Sequence, residues 1–251
     1  MSRNLLFIVA GIILVGLVSV TAVAAYVFRP PATPSGPITA IPIATDTQPI
    51  PQPSETSEGA TEIPQQVDLP TGPITAELVQ AESQARFLID EVLNGQPNTV
   101  VGVTDQVAAQ IIIDPANPAN VQMGPVTVNA RALVTDSNFR NRAIQNEILD
   151  TAEFEFITFT PRQFIGLPEA GAIGDTFSFQ ILGDLTVRDV TREVTFDLTV
   201  TVESDVRLHG LGTATISRQD FDLSVMDLPP QVASMKDAVT LELEFVAQTV
   251  E

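Results

Sequence analysis

The residues able to do chemistry in this chain are few, and their spacing places most of them on a wet surface. Glu153/Glu155 and Glu242/Glu244 stand two residues apart. Paired carboxylates are what acid–base hydrolysis of a glycoside needs. At spacing i, i+2 in a strand, however, both members project from the same face. The intervening Phe154, Leu241 and Leu243 are apolar, so the carboxylate face reads as the exterior and the acids do not converge in a cleft. With 1 His and 0 Cys, HExxH cannot be written, and no thiolate nucleophile, disulfide scaffold or multi-histidine metal site exists within one chain. His209, next to Gly210, reads as an ordinary rim histidine. Lys236 is the sole lysine and sits in no GxxxxGK[ST] context, which removes the phosphate-binding loop. Twelve Lys+Arg against 31 Asp+Glu give a net charge of −19, the wrong sign for a nucleic-acid surface. The expectation is no enzyme, no metal and no cofactor, which leaves binding or structural work.

The arginines carry the remaining polar chemistry. Arg140 and Arg142 suit a lipid phosphate, because guanidinium binds phosphate bidentately; ion pairs with Asp136, Glu147 or Asp150 are the competing reading. Asp184, Arg188, Asp189 and Arg192 surround a turn at 188–191 and read as turn chemistry with cross-strand pairing. Arg218 and Asp220 read as an ion pair ahead of Phe221.

The elements that must position these groups are strands. Val194, Phe196, Leu198, Val200 and Val202 alternate with polar residues, as do Phe177, Phe179 and Ile181, and Val239, Leu241, Leu243 and Phe245. One apolar and one wet face is the pattern of antiparallel strands. About eight such segments lie near 85–92, 99–113, 121–134, 153–160, 174–187, 192–206, 208–217 and 238–248. Several are long, and long strands in a small domain must bend or close. Asn138–Leu149, with Phe139, Ile144 and Ile148 on one side and Asp136-Ser137 ahead of it, reads as one short helix. The fold class is therefore all-β: an eight-stranded antiparallel barrel, of a size that either plugs its interior or holds one ligand. Thirteen Phe against one Tyr and no Trp make that interior apolar. Phe154, Phe156, Phe177, Phe179, Ile181, Phe196, Leu198, Leu243 and Phe245 fit a packed core and a pocket wall alike.

Ahead of this domain (76–251) lie two other regions. Leu5–Phe28 carries no charge and, at about 1.5 Å per residue, makes a helix long enough to span a bilayer. It reads as a transmembrane anchor or a signal peptide, cleaved after a small-x-small site at Ala22–Ala24. Either way the domain is expected outside the cytoplasm, tethered to the cell membrane or secreted. Residues 29–75 hold a Pro/Thr-rich stretch that reads as a disordered, extended spacer.

Four blocks in order resemble the YceI-like family. They are Gly183-Asp-Leu-Thr-Val-Arg-Asp-Val-Thr-Arg-Glu-Val, Asn138–Arg142 followed by Glu153–Phe159, Ala214-Thr-Ile-Ser-Arg-Gln-Asp-Phe-Asp222, and Lys236–Leu243. Departures are Asp189 and Asp222 where the family has glycine, Glu153-Phe154 where it has Tyr-Pro, and no His-Ser pair near Asn94–Asn98. The resemblance implies an exported, lipocalin-like barrel that binds an isoprenoid or other long-chain lipid. On that resemblance some of the nine apolar residues above line the ligand, while Arg140 and Arg142 stay head-group candidates on their guanidinium chemistry alone. The alternative function is a membrane-tethered scaffold with a filled barrel, no ligand and a protein partner.

Overall fold

The structure is a computed structural model that describes residues 29–43, 72–115, 117–223 and 232–250. Leu5–Phe28 and the middle of the Pro/Thr-rich stretch lie outside these residues. Among the described residues no helix is long and apolar enough to cross a membrane.

Twelve strands make one antiparallel sheet: β1 (Ile74–Leu78), β2 (Gln84–Leu93), β3 (Gln96–Thr104), β4 (Val107–Ala108), β5 (Gln110–Ile113), β6 (Gln122–Met123), β7 (Val126–Asn129), β8 (Phe156–Ile165), β9 (Thr176–Val187), β10 (Val190–Ser204), β11 (Arg207–Ser217) and β12 (Val232–Thr249). The pairing path runs β4-β7-β8-β9-β10-β11-β12-β1-β5-β6. β4 at one extreme and β5, next to the other, meet in sequence, because Ala109 alone separates them. The sheet is thereby curled back on itself.

The long strands drive the curl. Over β9 and β10 twelve residue pairs run in unbroken register from Val187↔Val190 to Thr176↔Thr201. The 18-residue β12 pairs with β11 along one edge and, along the other, first with β2 and then, over its last residues, with β1. Register shifts at Val232/Ser234 and Met235/Val239 bend it within the part paired with β2. On the outer face, threonine and acid–amide pairs bridge strands, as in Thr186–Thr191 at 2.9 Å and Gln180 donating to Asp197 at 2.7 Å. Inside, Phe159 meets Phe196 edge-on at 4.8 Å. Gly210 lies opposite Phe245, and the ring fills the space a Cβ would need.

The count of eight strands is corrected to twelve. Each of the expected strands 99–113 and 121–134 is broken, by the corner at Asp105–Gln106 and Ala109 and by Gly124-Pro125, where proline cannot donate to a ladder. β1 sits at the edge of the Pro/Thr-rich stretch, too short for its alternation to stand out. The expected helix is present as α1 (Asn138–Ala143), capped by the Ser137 hydroxyl accepting from the Arg140 amide, and it continues as a π-helical turn over Ile144–Ile148.

Asp222 follows the short turn Gln219–Phe221 with φ +53°, a left-handed conformation that costs an L-residue about 1 kcal/mol relative to glycine. Asp222→Gly is expected to raise stability by up to about 1 kcal/mol, read as the urea midpoint at constant m. An unchanged or lowered midpoint would show that the aspartate side chain compensates for the strain.

Candidate ligand cavity

The inward faces do not meet at the barrel centre. Three compartments follow one another along the axis and share walls. A 250 Å³ space lies under α1, bounded by Phe87, Ile89, Leu133, Ile148, Leu185 and Val187. A central one of 130 Å³ is bounded by Val126, Phe159, Phe196, Leu243 and Phe245. A third of 170 Å³ lies towards the β8–β9 and β10–β11 loops, against Phe164, Phe177, Phe179, Val200 and Leu208. Phe87, Leu133, Ile157, Leu185 and Leu241 belong to both of the first two, and Ile111, Met123, Ile181, Leu198 and Phe245 to both of the last two. Along β9 the wall passes from Phe177 to Val187, about 33 Å of strand at ~3.3 Å per residue. At a barrel tilt near 40° that is roughly 25 Å of axis.

Of the nine apolar residues singled out, Phe177, Phe179, Ile181, Phe196, Leu198, Leu243 and Phe245 stand on this wall. Phe154 and Phe156 do not, and the reason is strand parity. β8 starts at Phe156, and its inward residues are Ile157 and Phe159, with Phe156 39% exposed. Phe154 precedes the strand and lies beneath the Arg188 guanidinium, 5.9 Å from its ring centre. The alternation Glu153–Phe156 resembles a strand, but Glu155 is drawn inward by polar partners. It accepts from Arg131 at 2.7 Å and from Asn129 at 3.0 Å. A one-residue change of parity moves every side chain to the other face.

At the α1 end Glu91, Ser137, Arg140 and Arg218 reach the wall; Arg86 and Glu242 border the central compartment, and Ser204, Asp205 and Arg207 the far one. The Glu91 side chain is only 1% exposed and accepts from Arg140 at 3.3 Å and from Asn98 Nδ2 at 2.8 Å. Arg140 is also paired with Asp136. Arg142 is exposed and off the wall. Glu91 and Asn98 escaped the reading of the sequence; Glu91 occupies an inward position of β2 between Ile89 and Leu93, and an acid at such a position is the signal that marks it. Elsewhere, Glu242 and Glu244 pair with Arg86 at 3.0 and 3.3 Å, and His209 lies 3.7 Å from Glu244. Arg218 donates to the carbonyls of Lys236 and Leu223 rather than to Asp220. Among the described residues no group of three His, Cys, Asp or Glu is arranged to hold a metal.

A second polar cluster fastens the link between α1 and β8. Arg131 reaches the Thr151 and Ala152 carbonyls and Glu155, while Gln145 donates to the Arg131 and Leu133 carbonyls at 3.0 and 2.9 Å. Burial pushes the Glu155 carboxyl up, but hydrogen bonds from the Ser35 amide and Asn129, with Arg131 beside it, bring it below the ordinary range.

A curled antiparallel sheet around a row of largely apolar compartments is a barrel-type fold with room for an apolar ligand. The family comparison is specific: the YceI-like domain model matches residues 77–247, so the chain belongs to the YceI-like family. Among solved structures it is similar to a polyisoprenoid binding domain from Saccharophagus degradans implicated in plant cell wall breakdown, at 13% identity and a TM-score of 0.55, covering 70% of this chain and 99% of that one. It is also similar to Burkholderia cenocepacia BcnA, at 18% identity and a TM-score of 0.55, covering 67% and 98%. At these identities the likeness shows the fold. No curated protein matches the sequence.

Two predictions follow from the polar groups. Arg140→Ala leaves a buried carboxylate short of its charge partner and is expected to cost about 2–3 kcal/mol, whereas Arg142→Ala stays within about 0.5 kcal/mol; equal denaturant midpoints for the two would refute the pairing. Glu155 has a lowered carboxyl pKa, so its contribution to stability is present above the unfolded value near 4.5 and is lost as pH falls through the lower folded one. Glu155→Gln should therefore lose less stability than wild type between about pH 5 and pH 3, the ordinary carboxylate range. Parallel acid curves would contradict this.

Proposed function

We propose that the protein binds one long apolar chain, an isoprenoid or long acyl lipid, lengthwise inside the barrel. The single observation that carries this reading is the row of apolar compartments inside the barrel. Three apolar compartments share walls from the α1 end to the β8–β9 and β10–β11 loops. The roughly 25 Å of axis exceeds the ~15 Å of one leaflet of a bilayer whose core is about 30 Å thick. That favours a chain longer than an ordinary membrane acyl tail, and the relative named as a polyisoprenoid binding domain has the same fold. Each buried CH₂ contributes about 0.8 kcal/mol, so some twenty carbons outweigh the costs of ordering and association.

The polar end of the ligand belongs at Glu91 and Arg140. Because Arg140 is already matched by Glu91 and Asp136, an uncharged hydrogen-bonding end fits better there than a free phosphate, which would compete with two carboxylates for one guanidinium. The uncharged segment Leu5–Phe28 supplies the setting: an anchor in the cell membrane, or an export signal, with the barrel on the extracytoplasmic side, where a carrier meets the bilayer that holds its lipid.

The test is native mass spectrometry of the 29–251 chain, purified without detergent and then offered a polyprenol. The expected outcome is a one-to-one adduct of a few hundred daltons or more. Ile181, which borders the central and far compartments, reports on location: Ile181→Trp should abolish the adduct while the circular-dichroism spectrum stays that of a β-protein. Clean apo masses before and after lipid addition would refute the proposal and favour the filled-barrel scaffold.

A further inference from the structure

The Pro/Thr-rich stretch does not begin as a loose spacer. Residues 29–43 run as extended chain along the outside of the barrel and are fastened at both ends and between. Asn146, itself 2% exposed, donates its side-chain amide to the Arg29 carbonyl at 2.9 Å. The Arg29 guanidinium reaches the Asn146 carbonyl and Asp150, each at 3.4 Å. The Ser35 amide donates to Glu155 at 2.7 Å, Gln80 donates to the Ile38 carbonyl, and the Ile43 amide donates to Gln110 at 2.8 Å. A Cβ on Gly124 would stand 3.1 Å from the Ile41 carbonyl and 3.3 Å from the Ile43 side chain, so the bare backbone there leaves room for the strap. Most of these partners are side chains of the barrel facing backbone groups of the strap; Arg29 and Ser35 add side-chain contacts of their own.

The first residue of the strap is also the first after the uncharged segment Leu5–Phe28. A free stretch of 45 residues between Phe28 and β1 would allow roughly 150 Å of separation at ~3.3 Å per residue. Docked, the strap leaves a single residue, about 3–4 Å of chain, between the apolar segment and the C-terminal end of the α1 turn. From these contacts we infer that the strap turns the α1 end of the barrel, with its polar-lined mouth, towards the bilayer and holds it there. The inference rests on the proposed membrane anchoring of Leu5–Phe28.

Charge favours the same orientation. The loops at the opposite end carry Asp114, Glu169, Asp175, Glu203 and Asp205, with Arg207 among them already held by Glu82 and Glu203. An anionic leaflet repels such an end. The α1 end mixes signs: Arg29, Arg140, Arg142, Arg188, Arg218 and Lys236 stand among Asp90, Glu91, Asp136, Glu147, Asp150, Asp189, Asp220, Asp222 and Asp237, so cations offset most of the acids there, whereas among the described residues Arg207 stands alone at the opposite end. Beside its mouth Phe139 and Val134 are each 49% exposed, apolar groups able to enter the interfacial region. The opposite end has exposed apolar residues as well, Ile173 at 50% and Val206 at 41%, so tether and charge, rather than exposed apolar surface, set the choice. The occupant of the α1 face is the lipid surface itself, and the cavity mouth opens where an apolar chain can pass from leaflet to barrel with little exposure to water.

The chain has no cysteine, so single labelling sites are clean. Full-length protein with Val134→Cys or Ile173→Cys, each carrying an environment-sensitive fluorophore, is reconstituted in vesicles of phosphatidylcholine and phosphatidylglycerol. Vesicle flotation reads anchoring, and quenching by lipids spin-labelled at the head group reads orientation. The expected result is co-flotation, several-fold stronger quenching at 134 than at 173, and loss of that difference in Ser35→Pro/Ile43→Pro, which removes two strap hydrogen bonds without touching the barrel. Co-flotation with equal quenching, or with stronger quenching at 173, overturns the orientation and leaves the anchor standing. A difference that survives the double proline variant overturns the strap as its cause. Failure to float overturns the anchor, and the inference with it.

Discussion

Everything in this structure follows from the need to bury one face of very long strands. β9, β10, β11 and β12 are apolar on one side and wet on the other over 11 to 18 residues. A sheet of such strands can hide its apolar side by stacking on a second layer or by curling upon itself. There is no second sheet and only one short helix among the described residues, so the sheet curls, with Ala109 as the corner that joins β4 to β5. Twist, the bends in β12 and the glycine that admits the Phe245 ring all serve that curvature. Once the sheet is curled this widely, the side chains available do not fill the centre, and the cavity is the remainder.

The same constraint explains where polar groups are permitted. Inside, an uncompensated charge is costly, so Glu91 occurs only with Arg140 and Asn98 around it, at the α1 end of the barrel. Outside, the carboxylates responsible for much of the −19 charge line the wet strand faces and loops, where they oppose self-association. The strap fits this scheme. Its backbone groups have no helix or sheet to join, and the barrel satisfies several of them with the side chains of Asn146, Glu155, Gln80 and Gln110.

Much of this was legible in the residues. Period-2 alternation identified the long strands from 174 onwards, and with them seven residues of the cavity wall, because parity is unambiguous where alternation is long. It failed where alternation was short or conflicted. At Glu153–Phe156 the pattern gave the wrong parity, since the pull of Arg131 and Asn129 on Glu155 comes from residues more than twenty positions away. The broken strands between 99 and 134 depended on corners that only closure of the sheet explains. Asp222 was visible as a departure from the family's glycine, and its left-handed backbone supplies the reason for that glycine. The docking of residues 29–43 was not legible, because composition says what a proline-rich stretch cannot bury and is silent on what it can lie against.

The central claim is that a long apolar chain lies along the barrel axis, and the most direct measurement is its position. A polyprenol carrying a photoactivatable diazirine near one end, irradiated in complex with the protein, marks the residues it touches. The account predicts adducts on inward residues of the far compartment, such as Phe177 and Val200, when the diazirine is at the apolar end, and near Leu133 or Ile148 when it is at the polar end. Adducts confined to outward-facing positions such as Thr199 or Gln180, or the same adducts for both probes, would contradict it.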